Sequence, residues 1–288
     1  MNATSLHIAA LTHAGHVRAR NEDAFVVADL ETGSQVIADR YVARIAPSAH
    51  GALVAVSDGM GGATAGDVAS RLVVESLAQG FARARASRAT VERVEAAVEH
   101  AHRAVLDEAC VRGIKMGATL TALFVRGAHA YVAEVGDSRA YLLRRGELTQ
   151  LTKDQSYVQM LLDQGLLAPG DAHDAPFRNV ILQAMGHQPS LRAVVGRLEL
   201  RDRDCIVLCS DGVHGPVAPA EMRRLVLSSP TLETACGRIL QAALDAGGPD
   251  NATIALVGVG GEIARPTAGD DAAATYRVLV DAGVPPHM

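Results

Sequence analysis

Cysteine is scarce in this 288-residue chain, and Cys110, Cys205, Cys209 and Cys236 include no Cys-x-x-Cys pair. That spacing argues against a disulfide framework and against a zinc site, and leaves these residues as small core hydrophobes. There is no excess of basic charge: 27 Lys and Arg stand against 32 Asp and Glu, a net charge of −5, with both signs mixed throughout. No basic face is offered to nucleic acid or to a membrane surface. No apolar run approaches the roughly 18 uncharged residues that a membrane span needs. The first residues, Met1 to His7, carry neither a basic n-region nor an apolar h-region. A cytoplasmic, monomeric protein without membrane or nucleic-acid partners is expected. What the chain does have is 49% hydrophobic residues, enough to bury a substantial core.

One stretch organises the rest. Leu53-Val54-Ala55-Val56 reads as a buried strand, and it stops abruptly at Ser57-Asp58-Gly59-Met60-Gly61-Gly62, an acid followed by glycines. A carboxylate buried without a partner costs several kcal/mol or more, so other groups should meet it there. Strands are expected at 6–13 and 24–28, and residues 30–51 read as a loop with one short strand near Val36. Helical spacing follows from Val68 to Leu77 and from Thr90, a plausible N-cap, to Leu106. Three closely spaced runs at 118–125, 128–135 and 139–143 read as an antiparallel meander. A helix around Val158, a turn-rich excursion, strands at 192–200 and 205–209, two helices ending near Leu244 and a strand at 252–257 complete the pattern. Residues 262–288 read as a tail with a helix at 272–279.

The acids fall into one scheme. Asp58 and Asp211 end strands, Asp23 and Asp250 precede strands, and Asp137 sits in a hairpin turn. In an antiparallel sheet the end of one strand lies beside the start of its neighbour, so all five can project from one edge. Five acids at one edge repel unless something cationic is present. Carboxylates without recurring histidine or cysteine are the hard oxygen donors that Mg²⁺ or Mn²⁺ prefers. Two such ions about 3.5–4 Å apart would bridge a water and activate it against a phosphorus centre. Arg18, ahead of Glu22 and Asp23, is the cation best placed to bind phosphate oxygens.

Seven motifs in order carry a resemblance: Arg18-x-x-Asn21-Glu22-Asp23, Ser57 to Gly62, Gly117-Ala118-Thr119, Gly136-Asp137-Ser138-Arg139, Leu151-Thr152-Lys153-Asp154, Ser210-Asp211-Gly212 and Asp250-Asn251-Ala252-Thr253. Each alone is a weak signal, but in this order over residues 6–258 they resemble the bacterial form of the PP2C (PPM) family of metal-dependent protein serine/threonine phosphatases. The resemblance implies an α+β fold, a four-layer α-β-β-α sandwich of two antiparallel sheets flanked by helices. It implies one phosphatase domain over 1–261 with a flap at about 157–190, followed by the tail 262–288. It also implies roles: Asp58 bridging two core ions, the Gly59 carbonyl on one, Asp211 and Asp250 on the other, and Glu22 and Asp23 on metal or its water. Asp137 would serve a third, weaker ion, and Arg18 would hold the substrate phosphate. Asn251 is expected to shape the Asp250 turn, and Thr119 reads equally well as a supporting residue or as an ordinary strand residue. Phosphoproteins and a Ser/Thr kinase are the implied partners.

Met60 stands where eukaryotic members carry a histidine, so the leaving-group proton has no assigned donor, and His13 and His16 are the candidates. Ala175-Pro176 occupies the usual His-Pro position of the flap, with His173 displaced. Two other readings share the residues: a non-catalytic module sensing metal or a phosphoprotein, and a phosphatase of a small phosphometabolite.

Overall fold

A computed structural model describes residues 4–61, 65–84, 90–172 and 175–281; Gly62 and His173 lie outside them. The strands and helices run in the order β1 (Thr4–His13), β2 (Asp23–Asp29), β3 (Gln35–Val36), β4 (Arg40–Ile45), β5 (Ala52–Gly61), α1 (Gly66–Arg83), α2 (Thr90–Arg112), β6 (Met116–Ala118), β7 (Leu120–Arg126), β8 (His129–Val135), β9 (Arg139–Arg144) and β10 (Glu147–Gln150). They continue with α3 (Tyr157–Asp163), β11 (Val194–Glu199), β12 (Cys205–Cys209), α4 (Asp211–His214), α5 (Pro219–Leu227), α6 (Leu232–Asp245), β13 (Ala252–Gly261), α7 (Ala272–Thr275) and β14 (Tyr276–Val280).

Two antiparallel sheets result. One has the order β10-β9-β12-β13-β1-β4, the other β14-β11-β8-β7-β5-β2-β3, with β6 joined to the end of β5. Period-two alternation explains how they stack. Along β2 and β5, Ala24, Val26, Leu53 and Ala55 face α1 and α2, whereas Phe25, Val27, Val54 and Val56 face the opposite sheet. The other sheet divides in the same way: Ile206, Leu208, Ala255 and Val257 fill the space between sheets, and Val207, Ile254 and Leu256 pack under α5 and α6. Cys205 and Cys209 lie on this helix-facing side, in the core. The order helices, sheet, sheet, helices is the expected four-layer α+β sandwich. Each fully buried Val, Leu, Ile or Phe contributes about 1.5–3 kcal/mol.

Three expectations change. The meander is two strands, not three: β7 pairs with β8, but β9 pairs with β12 and β10 in the other sheet. Asp137 therefore sits in a turn that carries the chain between sheets, not in a hairpin. Gly136 makes that turn with φ +98°, where a Cβ would lie 2.8 Å from Thr119 Cγ2, and alternation alone does not distinguish a hairpin from a crossing between two doubly buried sheets. Residues 272–279 are not one helix. After a single turn capped by Asp271, whose carboxylate accepts from Ala274 N–H, Tyr276–Val280 adds a strand to β11. The run Tyr-Arg-Val-Leu-Val favours an edge strand once a partner edge is present. Finally, β4 and β10 are edge strands whose arginines and glutamate look like loop in sequence.

A buried ion pair fixes this last strand. Arg144 on β9 donates twice to Asp204 at 2.7 and 2.6 Å, and also to Thr275 Oγ1 at 2.7 Å and the Glu199 carbonyl at 2.8 Å. Removing one partner of such a pair leaves a buried charge, so Arg144→Ala should cost about 3–5 kcal/mol in urea unfolding. Arg71→Ala, which breaks an exposed pair with Glu75, should cost less than about 1 kcal/mol. Glu134 on β8 gives a pH dependence. Burial raises its carboxyl from 4.5 to about 8, although it accepts from the Lys153 N–H. The folded state thus holds a proton that the unfolded chain releases, and stability should fall as pH rises from about 4.5 to about 8. Glu134→Gln should flatten that part of the pH profile of the unfolding free energy.

Candidate metal centre

The acids meet at one rim of the sandwich. Asp23 opens β2 directly opposite Asp58 near the end of β5. Asp211 follows β12, and Asp250 stands two residues before its neighbour β13. The Asp58 carboxyl lies within hydrogen-bond reach of Asp211. Asp137 is near enough to add its charge to that pair.

Each acid is held by neighbours that the sequence motifs contain. Asp23 Oδ2 accepts from Ser210 Oγ and Thr253 Oγ1, both at 2.7 Å. Asp58 is set through its backbone: its N–H donates to Thr119 Oγ1 at 2.9 Å, and its carbonyl accepts from Thr119 N–H at 2.8 Å. Thr119 Oγ1 in turn bonds Ser138 Oγ at 2.7 Å, tying Asp58 to the Asp137 turn. Asn251 Oδ1 accepts from Glu22 N–H at 2.8 Å, and its Nδ2 donates to the carbonyls of Ala14 and Arg20. One side chain thereby fastens the Arg18–Asp23 segment to the Asp250 turn. Close approach requires glycine nearby: a Cβ on Gly66 would lie 2.7 Å from Glu22 Cδ and 2.9 Å from the Gly59 carbonyl oxygen, so these two oxygen donors converge at the start of α1.

Burial, followed by repulsion from neighbouring acids, holds these carboxyls up. Asp23 and Asp137 stand at about 7. Asp58 is raised well above its ordinary value and Asp211 is also raised, both by burial first. Glu22 is raised by partial burial and by Asp67. Arg18 is the compensating charge at the mouth, donating to Asp250 Oδ2 at 2.7 Å.

Two observations test whether a divalent cation fits. Asp23 Oδ1 and Asp211 Oδ1 are buried without a hydrogen-bond partner. Acceptors left so are costly unless an ion or water meets them. Among the described residues, no three His, Cys, Asp or Glu side chains are disposed to hold one ion together. A hard cation of the Mg²⁺ type takes one or two carboxylates and keeps several waters, so open, all-oxygen surroundings suit it.

Of the predicted residues, Asp23, Asp58, Asp137, Asp211 and Asp250 are brought into one electrostatic cluster, with Glu22 and Gly59 beside it and Arg18 at its edge. His13 and His16 lie on the segment packed against the Asp250 turn: His13 Nδ1 accepts from Gly15 N–H, His16 N–H donates to the Gly248 carbonyl, and a Cβ on Gly248 would lie 2.9 Å from His16 Cδ2. Ser210 and Thr253 were in the motifs without a role. The signal for Ser210 was a hydroxyl directly before a strand-ending acid, repeated at Ser57-Asp58, and Thr253 carried no such signal. His214, the last residue of α4, is half-buried with Nε2 3.0 Å from the Asp137 carbonyl oxygen, bracing that turn.

Comparison with known proteins identifies the family. The sequence profile described as protein phosphatase 2C matches residues 31–246, a span holding Asp58, Asp137 and Asp211 but not Arg18, Glu22, Asp23 or Asp250. The serine/threonine protein phosphatase PstP of Mycobacterium tuberculosis is 36% identical over 259 residues, covering 88% of this chain and 45% of that protein, so the chain spans less than half of that relative. Protein phosphatase PhpP of Streptococcus pneumoniae is 33% identical over 268 residues, covering 90% of this chain and 100% of that protein. The crystal structure of the PstP catalytic domain in complex with two manganese ions superposes with a TM-score of 0.74 at 33% identity, covering 89% of this chain and 99% of that one. With the profile spanning most of the chain and the fold shared along its length, this chain belongs to the protein phosphatase 2C family.

Proposed function

We propose that the chain hydrolyses phosphoserine and phosphothreonine monoesters on proteins, using Mg²⁺ or Mn²⁺ held by the rim acids. The observation that carries this reading is the pair of buried, unpartnered oxygens, Asp23 Oδ1 and Asp211 Oδ1, within a five-acid cluster that also offers the Gly59 carbonyl. The names of the relatives and the two manganese ions of the PstP structure support it. Asp58, Asp211 and Asp250, with the Gly59 carbonyl, would hold the two core ions. Glu22 and Asp23 would hold an ion or its waters, and Asp137 a third. Bound there, the cations supply the charge that brings the pKa of water toward neutral and draws electron density from the phosphoryl oxygens.

The rest belongs to the chain. Ser210 and Thr253 fix one Asp23 oxygen and so aim the other. Thr119 and Asn251 keep the Asp58 and Glu22 backbones in register, preorganising the acids before substrate arrives. Arg18, half-exposed at the mouth, exchanges its bond to Asp250 for the substrate phosphate, whose planar pairs of oxygens match a guanidinium. Residues 157–190 act as the flap beside this mouth, within a catalytic unit spanning 1–261. No described helix is long and apolar enough to cross a membrane. A cytoplasmic enzyme, monomeric, opposing a Ser/Thr kinase on shared phosphoprotein targets, is the setting this reading implies.

Hydrolysis of 4-nitrophenyl phosphate and of a phosphothreonine peptide should require Mn²⁺ or Mg²⁺ and stop on chelation. Asn251→Ala should lower kcat/KM by about 10–100-fold, as loss of an outer support does, and Asp58→Asn by more than that. Chelator-resistant turnover by Asp58→Asn would contradict the mechanism, and turnover of sugar phosphates far above phosphopeptides would move the substrate class to small metabolites.

A further inference from the structure

A groove of about 520 Å³ lies beside the acid cluster, with Asn21 and Asp23 in its lining. Asp23, 8% exposed, belongs both to the lining of this groove and to the centre described above. The outward face of α1 forms one wall and the β3–β4 connection the other. From Asp67 to Glu75 the wall runs eight residues, about 12 Å at 1.5 Å per residue, which is room for about three or four extended residues.

Its chemistry is uneven. Ile37, Val68 and Leu72 give it a half-buried apolar strip. Its two cations are already neutralised within their own helices, Arg71 by Glu75 at 2.9 Å and Arg112 by Glu108 at 2.6 Å. Asp39 and Asp67, on opposite walls, make no ion pair among the described residues, so the net field in the groove is negative. An exposed carboxylate facing an apolar strip suits a side chain with an apolar stem and a cationic head.

The geometry points to this groove as the recognition site for the substrate segment flanking the phosphorylated residue, with preference for a sequence that pairs an apolar side chain with Lys or Arg. This rests on the hydrolase reading and extends it to substrate choice. A small aryl phosphate reaches the acids without entering the groove, so the ratio of peptide to aryl phosphate kcat/KM isolates the contribution of the groove. Asp39 lies on an exposed connection, where charge can be reversed without disturbing the core.

The test uses phosphothreonine peptides of equal length flanked by Leu and Lys, by Leu and Glu, or by Gly and Ser, each normalised to 4-nitrophenyl phosphate with Mn²⁺. Wild-type protein should favour the Leu-Lys peptide over the Leu-Glu peptide by about fivefold, the scale of an exposed charge pair. Asp39→Lys should abolish or invert that preference, and Asp39→Asn should fall between. An unchanged preference in Asp39→Lys, or no preference in the wild type, overturns the proposal. If the wild type turns over no phosphate ester, the hydrolase reading fails instead, and fluorescence anisotropy of a labelled, unphosphorylated Leu-Lys peptide still reads the groove: binding weakened by Asp39→Lys supports it, and equal or absent binding by both proteins overturns it.

Discussion

Mutual repulsion among buried carboxylates is the constraint on which the rest of the structure turns. Asp23, Asp58, Asp137, Asp211 and Asp250 are gathered where two sheets end together, and for the first four burial adds to the repulsion. A fold would not concentrate these charges for stability, since each disfavours its neighbours. Neutral donors hold the cluster in shape: Ser210 and Thr253 on Asp23, Thr119 on the Asp58 backbone and Asn251 on the Glu22 backbone. Among the described residues, only Arg18, at the solvent edge, brings a positive charge into direct contact with one of the acids, Asp250. The interior of the cluster is left to be balanced by a cation.

Topology delivers the acids to that rim. Antiparallel neighbours place Asp23 against Asp58 in one sheet and Asp211 near Asp250 in the other. The crossing at Gly136 brings Asp137 between the two, which a hairpin confined to one sheet would not do. Hydroxyls then connect the sheets across the rim. Thr121 Oγ1 donates to the Ser138 carbonyl at 2.7 Å, and Ser210 Oγ, from the sheet opposite β2, reaches Asp23. Far from this rim, the buried Arg144–Asp204 pair secures the last strand by contacts that use none of the site residues.

Much of this was legible in the chain. Strands buried on both faces, such as Leu53–Val56 and Cys205–Cys209, announce themselves as short apolar runs, and an acid at their end is conspicuous. The gathered acids follow from those runs and from antiparallel pairing, whereas the four-layer sandwich was implied by the family resemblance of the motifs. Edge strands were not legible: Arg40–Ile45 and Glu147–Gln150 alternate with polar residues facing water, and Tyr276–Val280 becomes a strand only beside β11. The sheet exchange after β8 was hidden because a glycine turn looks the same in sequence whichever sheet the chain enters next. Partnerships over long sequence distances, such as Asn251 with Glu22 or Thr253 with Asp23, leave no local pattern at all.

The central claim is that the rim acids form a site for divalent cations, and titration calorimetry with Mn²⁺ on the intact chain tests it most directly. The account predicts saturable binding of at least two ions per chain, accompanied by proton release near neutral pH as the raised carboxyls ionise, with the stoichiometry reduced in Asp211→Asn. Absence of saturable binding, or an isotherm unchanged by that substitution, would contradict it.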